Sequence, residues 1–186
     1  MIIVIKWPRN VEEAKHYLTG LIVGDGSIEK YRIDIHDKNE KFLKMVKIAV
    51  LMKYFKDYIT KITIEYRRQT NNFRLRIYGK QFVETIKPLC SNITINRDFV
   101  RGFFDAEGSI GYNPNVIAEI TNKNREILEE IQTILKSHGI NCKIHKDRTT
   151  YKLRITSMRR FIEVIGLRHP RHILKIYLHS HITCKC

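Results

Sequence analysis

Asp25 and Glu107 are the first groups in this 186-residue sequence whose surroundings point to chemistry. Each closes a segment of small and apolar residues: Leu18-Thr-Gly-Leu-Ile-Val-Gly-Asp-Gly26 and Val100-Arg-Gly-Phe-Phe-Asp-Ala-Glu-Gly108. Gly20 and Gly24 stand four apart in the first, Gly102 and Ala106 in the second. On a helix, small residues at that spacing reduce one face almost to backbone, so two such helices can approach closely. Leu18 and Leu21, like Val100 and Phe103 or Phe104, root each helix in its own half. If the two helices pack about a pseudo-twofold axis, Asp25 and Glu107 lie side by side at electronegative helix C-termini. Two carboxylates about 5 Å apart repel by roughly 3 kcal/mol at an effective dielectric of 20. A hard divalent cation between them offsets that repulsion, and a carboxylate pair holding Mg²⁺ is suited to phosphodiester hydrolysis. A lone Asp before Gly at a helix end is ordinarily a cap or a turn. Two equivalent acids, each beyond a small-residue packing face, ask for more than that. Asp105 has Val23 as its counterpart, so it breaks the symmetry and is expected to be supporting or merely polar.

The elements that must position these acids come as a duplication. Both motifs continue Ser-Ile, at Ser27-Ile28 and Ser109-Ile110. Lys38-Asn39-Glu40-Lys41-Phe42-Leu43 returns as Lys123-Asn124-Arg125-Glu126-Ile127-Leu128, Leu75-Arg76-Ile77 as Leu153-Arg154-Ile155, and Phe82-Val-Glu-Thr-Ile86 as Phe161-Ile-Glu-Val-Ile165. Four blocks in one order indicate two related halves, 1–93 and 94–186, with a connector near 90–97. In each half a motif helix ends at Gly26 or Gly108, glycine being suited to the left-handed position after a helix. Two strands follow, Ile28–Ile35 and Val116–Thr121 being the clearer members. An amphipathic helix comes next, over Glu40–Phe55 or Arg125–His138. Then come strands Lys61–Arg68 and Phe73–Tyr78, or Asn141–Arg148 and Tyr151–Thr156, and a helix over Lys80–Leu89 or Met158–Leu167. The order αββαββα, twice, with strands in runs of two, predicts an α+β fold with antiparallel sheets. His169-Pro170 is expected to open a final helix.

The partner is read from charge. Lys and Arg number 34 against 19 Asp and Glu, a formal net charge of +15, split as +8 and +7 between the halves. So even an excess on a folded body predicts a long footprint on a polyanion, and nucleic acid before an anionic membrane. Strand alternation picks the outward residues. Arg32 and Asp34 oppose Ile33 and Ile35. Arg74, Arg76 and Tyr78 oppose Leu75 and Ile77, and Lys61, Thr63, Glu65 and Arg67 oppose Ile62, Ile64 and Tyr66. In the second half Lys143, His145 and Arg148 belong to one strand, and Lys152, Arg154 and Thr156 to the next. Arg68 lies in the turn Arg67-Arg-Gln-Thr-Asn-Asn72. Arginine bonds guanine bidentately, while threonine and acids read other base edges.

Other classes are excluded or set aside. No apolar run approaches the roughly 20 residues a bilayer needs, and no targeting signal is visible, so a cytoplasmic prokaryotic protein without membrane contact is expected. The cysteines Cys90, Cys142, Cys184 and Cys186 show no zinc-finger spacing. Cys184-Lys185-Cys186, near His179 and His181, is expected to be a frayed thiol-bearing terminus.

The two motifs, the order of elements between them and the total length resemble the LAGLIDADG homing endonucleases, in the double-motif monomeric form often encoded by archaeal introns. Gly20, Gly24, Asp25 and Gly26 fit that pattern, as do Gly102, Asp105, Ala106, Glu107 and Gly108; Thr19, Val23, Arg101 and Phe104 depart where the family varies. The resemblance implies two curved four-stranded antiparallel sheets in the DNA major groove and one cut per strand across the minor groove. It makes Asp25 and Glu107 the metal-binding catalytic acids, with Gly24 and Ala106 in the metal set, Mg²⁺ as cofactor and Mn²⁺ able to substitute. It also places a polar residue, often Gln, after the second strand; the matching positions are Asp37 and Asn122, with Lys38 and Lys123 beside them. Asp37 departs from the usual amide. For the basic group of the site, Arg97, Arg168 and Arg171 are the candidates. The implied partner is long, non-palindromic double-stranded DNA bound by a monomer. Two other readings of the scaffold stand beside it: a maturase that binds intron RNA, and a non-catalytic DNA-binding regulator. With no splicing domain flanking these residues, an intein-embedded enzyme is not expected.

Overall fold

A computed structural model describes residues 5–112 and 115–182. The Cys184-Lys185-Cys186 terminus, and the side chains of His179 and His181, lie outside the described residues. The chain runs α1 (Val11–Asp25), β1 (Gly26–Ile28), β2 (Arg32–Asp37), α2 (Glu40–Val46), β3 (Lys61–Arg67), β4 (Asn72–Tyr78) and α3 (Lys80–Ser91). The second half repeats this with α4 (Arg97–Glu107), β5 (Gly108–Tyr112), β6 (Val116–Asn122), α5 (Arg125–Ser137), β7 (Cys142–Asp147), β8 (Thr150–Ile155) and α6 (Met158–Val164). A last helix, α7 (Pro170–Ile182), has no counterpart in the first half. The expected α+β architecture, αββαββα twice, is therefore present, with α7 added.

Local sequence explains most boundaries. Asparagine caps four helices: Asn10, Asn39, Asn96 and Asn124 each accept a backbone N–H from the first turn of α1, α2, α4 and α5. That satisfies donors the helix itself cannot. Asn39 and Asn124 are equivalent in the duplication, so the cap was copied with the helix. Past Val46 the first-half helix widens into a π-helix over Lys47–Met52, whereas α5 stays regular. The stretch 28–35, expected as one strand, turns within itself: Glu29 N donates to Arg32 O at 2.8 Å, closing a hairpin between β1 and β2.

Each half folds one antiparallel sheet, in the orders β1-β2-β4-β3 and β5-β6-β8-β7. The inner faces carry Ile33, Ile35, Leu75 and Ile77, or Ala118, Ile120, Leu153 and Ile155, all at 0% exposure. Helices cover these faces and build one core per half. Burial of each such aliphatic side chain is worth about 1.5–3 kcal/mol, so the alternation of the strands is strongly fixed in register. Tyr66 shares the inner-face register yet stays 52% exposed at the edge, where it packs on Phe73. No helix of the described residues is long and apolar enough to cross a membrane.

The motif helices α1 and α4 form the seam between the halves. A Cβ on Gly20 would stand 2.1 Å from Phe99 O, and one on Gly102 would stand 1.9 Å from Tyr17 O. The two helices thus touch backbone to backbone, as the small-residue spacing requires. Gly26 and Gly108 serve a different need from the one expected. Both are extended, with φ of −118° and −75°, so neither occupies the left-handed region. A Cβ at Gly26 would strike the Ile22 backbone at 2.7 Å, and one at Gly108 would strike Phe104 O at 2.3 Å. Lack of volume, not conformational freedom, is what selects glycine there.

Candidate catalytic site and nucleic-acid interface

The C-termini of α1 and α4 bring Asp25 and Glu107 together. The Gly24 Cα faces Ala106 and Glu107: a Cβ there would lie 2.5 Å from Ala106 Cβ and 3.2 Å from Glu107 Cγ. Glu107 is half-buried, while Asp25 keeps more than a third of its surface open although protein crowds its other sides. Desolvation by that protein, and then the charge of Asp37, raise the Asp25 pKa. Glu107 is pushed up to about 7, by desolvation first and by Asp25 second. Repulsion by Asp25 thus adds to desolvation in favouring the neutral form of Glu107.

Asp37 and Asn122 occupy equivalent places and start with the same bond. Asp37 Oδ1 accepts from Asn39 N at 2.6 Å, and Asn122 Oδ1 accepts from Asn124 N at 2.8 Å. Their remaining atoms diverge. Asn122 Nδ2 donates to Glu107 Oε1 at 3.4 Å. Asp37 Oδ2 instead meets His169 Nε2 at 2.9 Å, in a contact where both side chains are nearly sealed from solvent. His169 Nδ1 accepts from Arg171 N at 3.1 Å and its ring stacks on Phe42. With Nδ1 an acceptor, the ring is neutral and donates from Nε2, leaving the negative charge on Asp37. The substitution of a carboxylate for an amide is thus matched by a histidine far away in sequence.

The basic candidates separate cleanly. Arg97 begins α4, and ten rises of about 1.5 Å put it roughly 15 Å along the helix from Glu107. It does not join the acids, because residues at opposite ends of one rigid helix cannot meet. Arg168 is fully buried and pairs with Asp105 Oδ2 at 2.6 Å. Tyr17 OH donates to the same oxygen at 3.0 Å, so Asp105 locks α1, α4 and the C-terminal segment together. Arg171 is a cation that reaches the site, offsetting part of the rise in the pKa of both Asp25 and Glu107. Its Nη2 donates to the carbonyls of Asp105 (3.2 Å), Ala106 (2.9 Å) and Gly108 (3.2 Å) at the end of α4. Its Nε donates to Nε2 of His172 at 3.1 Å; burial keeps that ring neutral, its pKa pushed down to about 2. Ala106, expected in a metal set, therefore has its carbonyl engaged by Arg171.

Sequence reasoning took His169-Pro170 only as a helix start. The available signal was the cluster His169-Pro-Arg-His172, which follows the last repeated block and has no equivalent in the first half.

The sheet faces carry the remaining candidates. In the first half Asp34 stands opposite Ser27 on one side and Arg76 on the other, and Arg76 opposite Thr63. The second half repeats the row as Ser109, Glu119, Arg154 and Lys143. Arg32, Arg74 and Tyr78 share the first face; Lys152 and His145 share the second. Arg67 ends β3, with Arg68 in the turn beyond it, and Arg148 sits in the β7–β8 turn at φ +53°. Lys38 and Lys123 are exposed at the starts of α2 and α5.

Asp34 departs from its expected role. It lies beneath the arginines, its side chain 4% exposed, and faces Arg32 at 3.0 Å and both Arg74 and Arg76 at 3.6 Å. Those guanidiniums cover it, so in this structure its carboxylate is turned to the arginines and not to solvent.

A seam of two motif helices carrying paired acids, with a basic antiparallel sheet on each side, defines a two-domain protein of one family. Residues 12–89 and 94–166 each match the LAGLIDADG-like domain, and the chain belongs to that family. The homing endonuclease I-DmoI of Desulfurococcus mucosus is 29% identical over 189 residues, covering 94% of this chain and 92% of that one. The crystal structure of I-DmoI in complex with DNA and Mn superposes with a TM-score of 0.66 at 28% identity, over 84% of this chain and 97% of that one. A probable translation initiation factor IF-2 of Thermococcus kodakarensis is 28% identical over 173 residues, 86% of this chain but 15% of that protein. Full-length DUF199/WhiA from Thermatoga maritima shares the fold, with a TM-score of 0.61 at 22% identity over 94% of this chain and 62% of that one.

Proposed function

We propose that the protein is a sequence-specific endonuclease that binds double-stranded DNA as a monomer and hydrolyses one phosphodiester in each strand with a divalent cation. The observation that carries this reading is the meeting of Asp25 and Glu107 at the end of a seam tight enough to exclude even a methyl group. A fold held in common with DUF199/WhiA does not choose a function. The acids do, because a protein that only bound DNA would gain nothing from two carboxylates in mutual repulsion.

The donors fit a hard cation. All are oxygen, and Glu107, pushed up to about 7, gains most from a positive charge beside it. Among the described residues no group of three His, Cys, Asp or Glu converges for a metal, so the chain would contribute Asp25 and Glu107 and leave other positions to water and DNA oxygens. Such an ion supplies an activated water and stabilises the leaving oxygen; Mg²⁺ fits, with Mn²⁺ able to substitute. The chain's own residues do the rest. Asn122 orients Glu107, Asp37 adds a fixed negative charge beside Asp25, and Arg171 holds the end of α4 while offsetting part of the acidic field. The two sheets carry Arg32, Arg74, Arg76, Lys143, Lys152 and Arg154 toward the grooves of a long duplex. The unlike faces imply a target without twofold symmetry.

The test is Asp25→Asn and Glu107→Gln assayed on DNA spanning the uninterrupted insertion site of the gene's own intron, with and without Mg²⁺. Each variant is expected to lose double-strand cleavage by at least about 10³-fold while binding DNA as tightly as before. Cleavage of both strands at the wild-type rate by either variant would remove the proposal.

A further inference from the structure

Arg97 does not reach the acids, but it is not idle. At the opposite end of the seam a cleft of about 350 Å³ is lined by Ile5, Lys6, Trp7, Arg9, Arg97 and Arg101. Two of its four cations have acidic partners: Arg9 pairs with Glu13 at 2.6 Å, and Arg101 pairs with Asp98. Arg101 also donates to the carbonyls of Val164 and Ile165 at 3.0 Å each, which fixes it in the wall. Lys6 and Arg97 form no ion pair among the described residues, although the charge of Glu163 still acts on Lys6. Lys6 donates only to the backbone carbonyl of Glu163; the Glu163 carboxylate is drawn away to Arg159 at 3.1 Å and Arg160 at 3.7 Å. Arg97 Nε is buried with no hydrogen-bond partner, an arrangement that costs about 1–3 kcal/mol unless a ligand supplies an acceptor. Desolvation lowers the Lys6 pKa, and Arg101, Arg97 and Arg9 lower it further, so the four cations crowd one another.

We infer that this cleft is a second phosphate site, which takes the phosphodiester of a single nucleic-acid strand on Lys6 and Arg97 beside the Trp7 ring. Its volume of about 350 Å³ suits a single phosphodiester and its neighbouring sugar, and it lies at the far end of α4 from Glu107, apart from the acids. Phosphate is favoured over carboxylate because two donors on separate elements, one a planar fork, suit an anion with oxygens on several sides. The half-buried Trp7 indole, edge-on to Tyr17, lines the same cleft and offers a base a surface to stack on. The inference does not depend on the acids being catalytic.

Trp7 is the only tryptophan of the chain, so its fluorescence reports the cleft directly. The full-length protein is titrated with twelve-residue oligo(U) or oligo(dT), and with inorganic phosphate, at several salt concentrations. Saturable change of the Trp7 signal is expected with either oligonucleotide, with inorganic phosphate competing only at far higher concentration. R97Q is expected to weaken the Trp7-reported binding by about tenfold and to flatten its log–log salt slope by about 0.7; R97K should hold it within a few-fold. R76Q, on the first sheet, should leave it unchanged. Loss of the signal in R76Q but not in R97Q would place the strand on the sheets and overturn the proposal. Phosphate binding as tightly as the oligonucleotides would overturn the assignment to a strand. K6Q, away from every helix, repeats the test should R97Q not fold.

Discussion

The two halves share topology, register and caps, and they differ wherever charge is buried. In the first half, Asp34 lies under three guanidiniums with its side chain 4% exposed. In the second, Glu119 takes the same place in the sheet, meets Arg154 at 3.1 Å and keeps 26% of its side chain exposed. Asp37 is closed over by His169, whereas Asn122 turns to Glu107. The C-terminus of α4 receives Arg171, Lys175 donates to Ile110 O in β5, and α1 ends with no basic residue in its last turn. Duplication thus supplied a symmetric frame, and an unduplicated segment, 168–175, made its centre asymmetric. The ends cross as well: Arg168 Nη1 donates to Lys6 O, so the start of the chain is held by the second half. Symmetric backbone with asymmetric charge fits the target without twofold symmetry proposed above.

Two substitution pairs and a pH profile would break or sharpen this contrast. The largest effect is expected at the seam position where the halves differ most. Asp105→Asn leaves Arg168 buried without its counter-ion and should cost about 3–5 kcal/mol in urea denaturation, while Val23→Ala at the matching place should cost about 1 kcal/mol. Equal losses would mean that the buried pair adds nothing to the packing. On the sheets, Asp34→Asn should cost about 2 kcal/mol, because three arginines lose a common counter-charge, and Glu119→Gln less than about 0.5 kcal/mol. In selection from randomised DNA, Asp34→Asn should relax the bases read by the first half alone; relaxation on both sides would count against separate reading heads.

The smallest effect concerns pH. Glu107 is raised in the folded protein, to about 7 from an ordinary 4.5. Between those values this carboxyl holds its proton in the folded state and not in the unfolded one, so its contribution to stability is greatest below about pH 4.5 and is lost as pH climbs through 7. His172, pushed down to about 2 from 6.5, contributes in the opposite sense up to about pH 6.5. Without divalent cations the melting temperature should therefore drop between about pH 6.5 and 8, where His172 is neutral in both states and Glu107 is still losing its proton in the folded one. Glu107→Gln should flatten that slope and melt a few degrees higher at pH 8, and Mg²⁺ should restore the loss in wild type but not in the variant. A difference in melting temperature between wild type and Glu107→Gln that does not change with pH would show that burial and Asp25 do not raise the Glu107 carboxyl.

Much of the frame was legible because its signals are local or periodic. Alternation of Ile33, Ile35, Leu75 and Ile77 with charged residues fixes which sheet face is buried. Four-residue spacing of Gly20 and Gly24, answered by Gly102 and Ala106, fixes how the motif helices meet. What was misread had a local signal with more than one meaning. Glycine after a helix fits a left-handed turn or a close contact, and at Gly26 and Gly108 it is the contact. Alternation put Asp34 on the outer face but could not show that longer arginine side chains fold over it.

By itself, then, the sequence determined the duplication, the order of elements, the seam and the placing of residues 25 and 107 at its end, since each follows from spacing along one chain. Only the tertiary structure decided which cation serves the acids, what Asp37 bonds and where Arg97 goes. Asp37 and His169 are 132 residues apart, and no periodicity links them. Their meeting depends on how α7 crosses between the finished halves, and that path is set by packing across both cores.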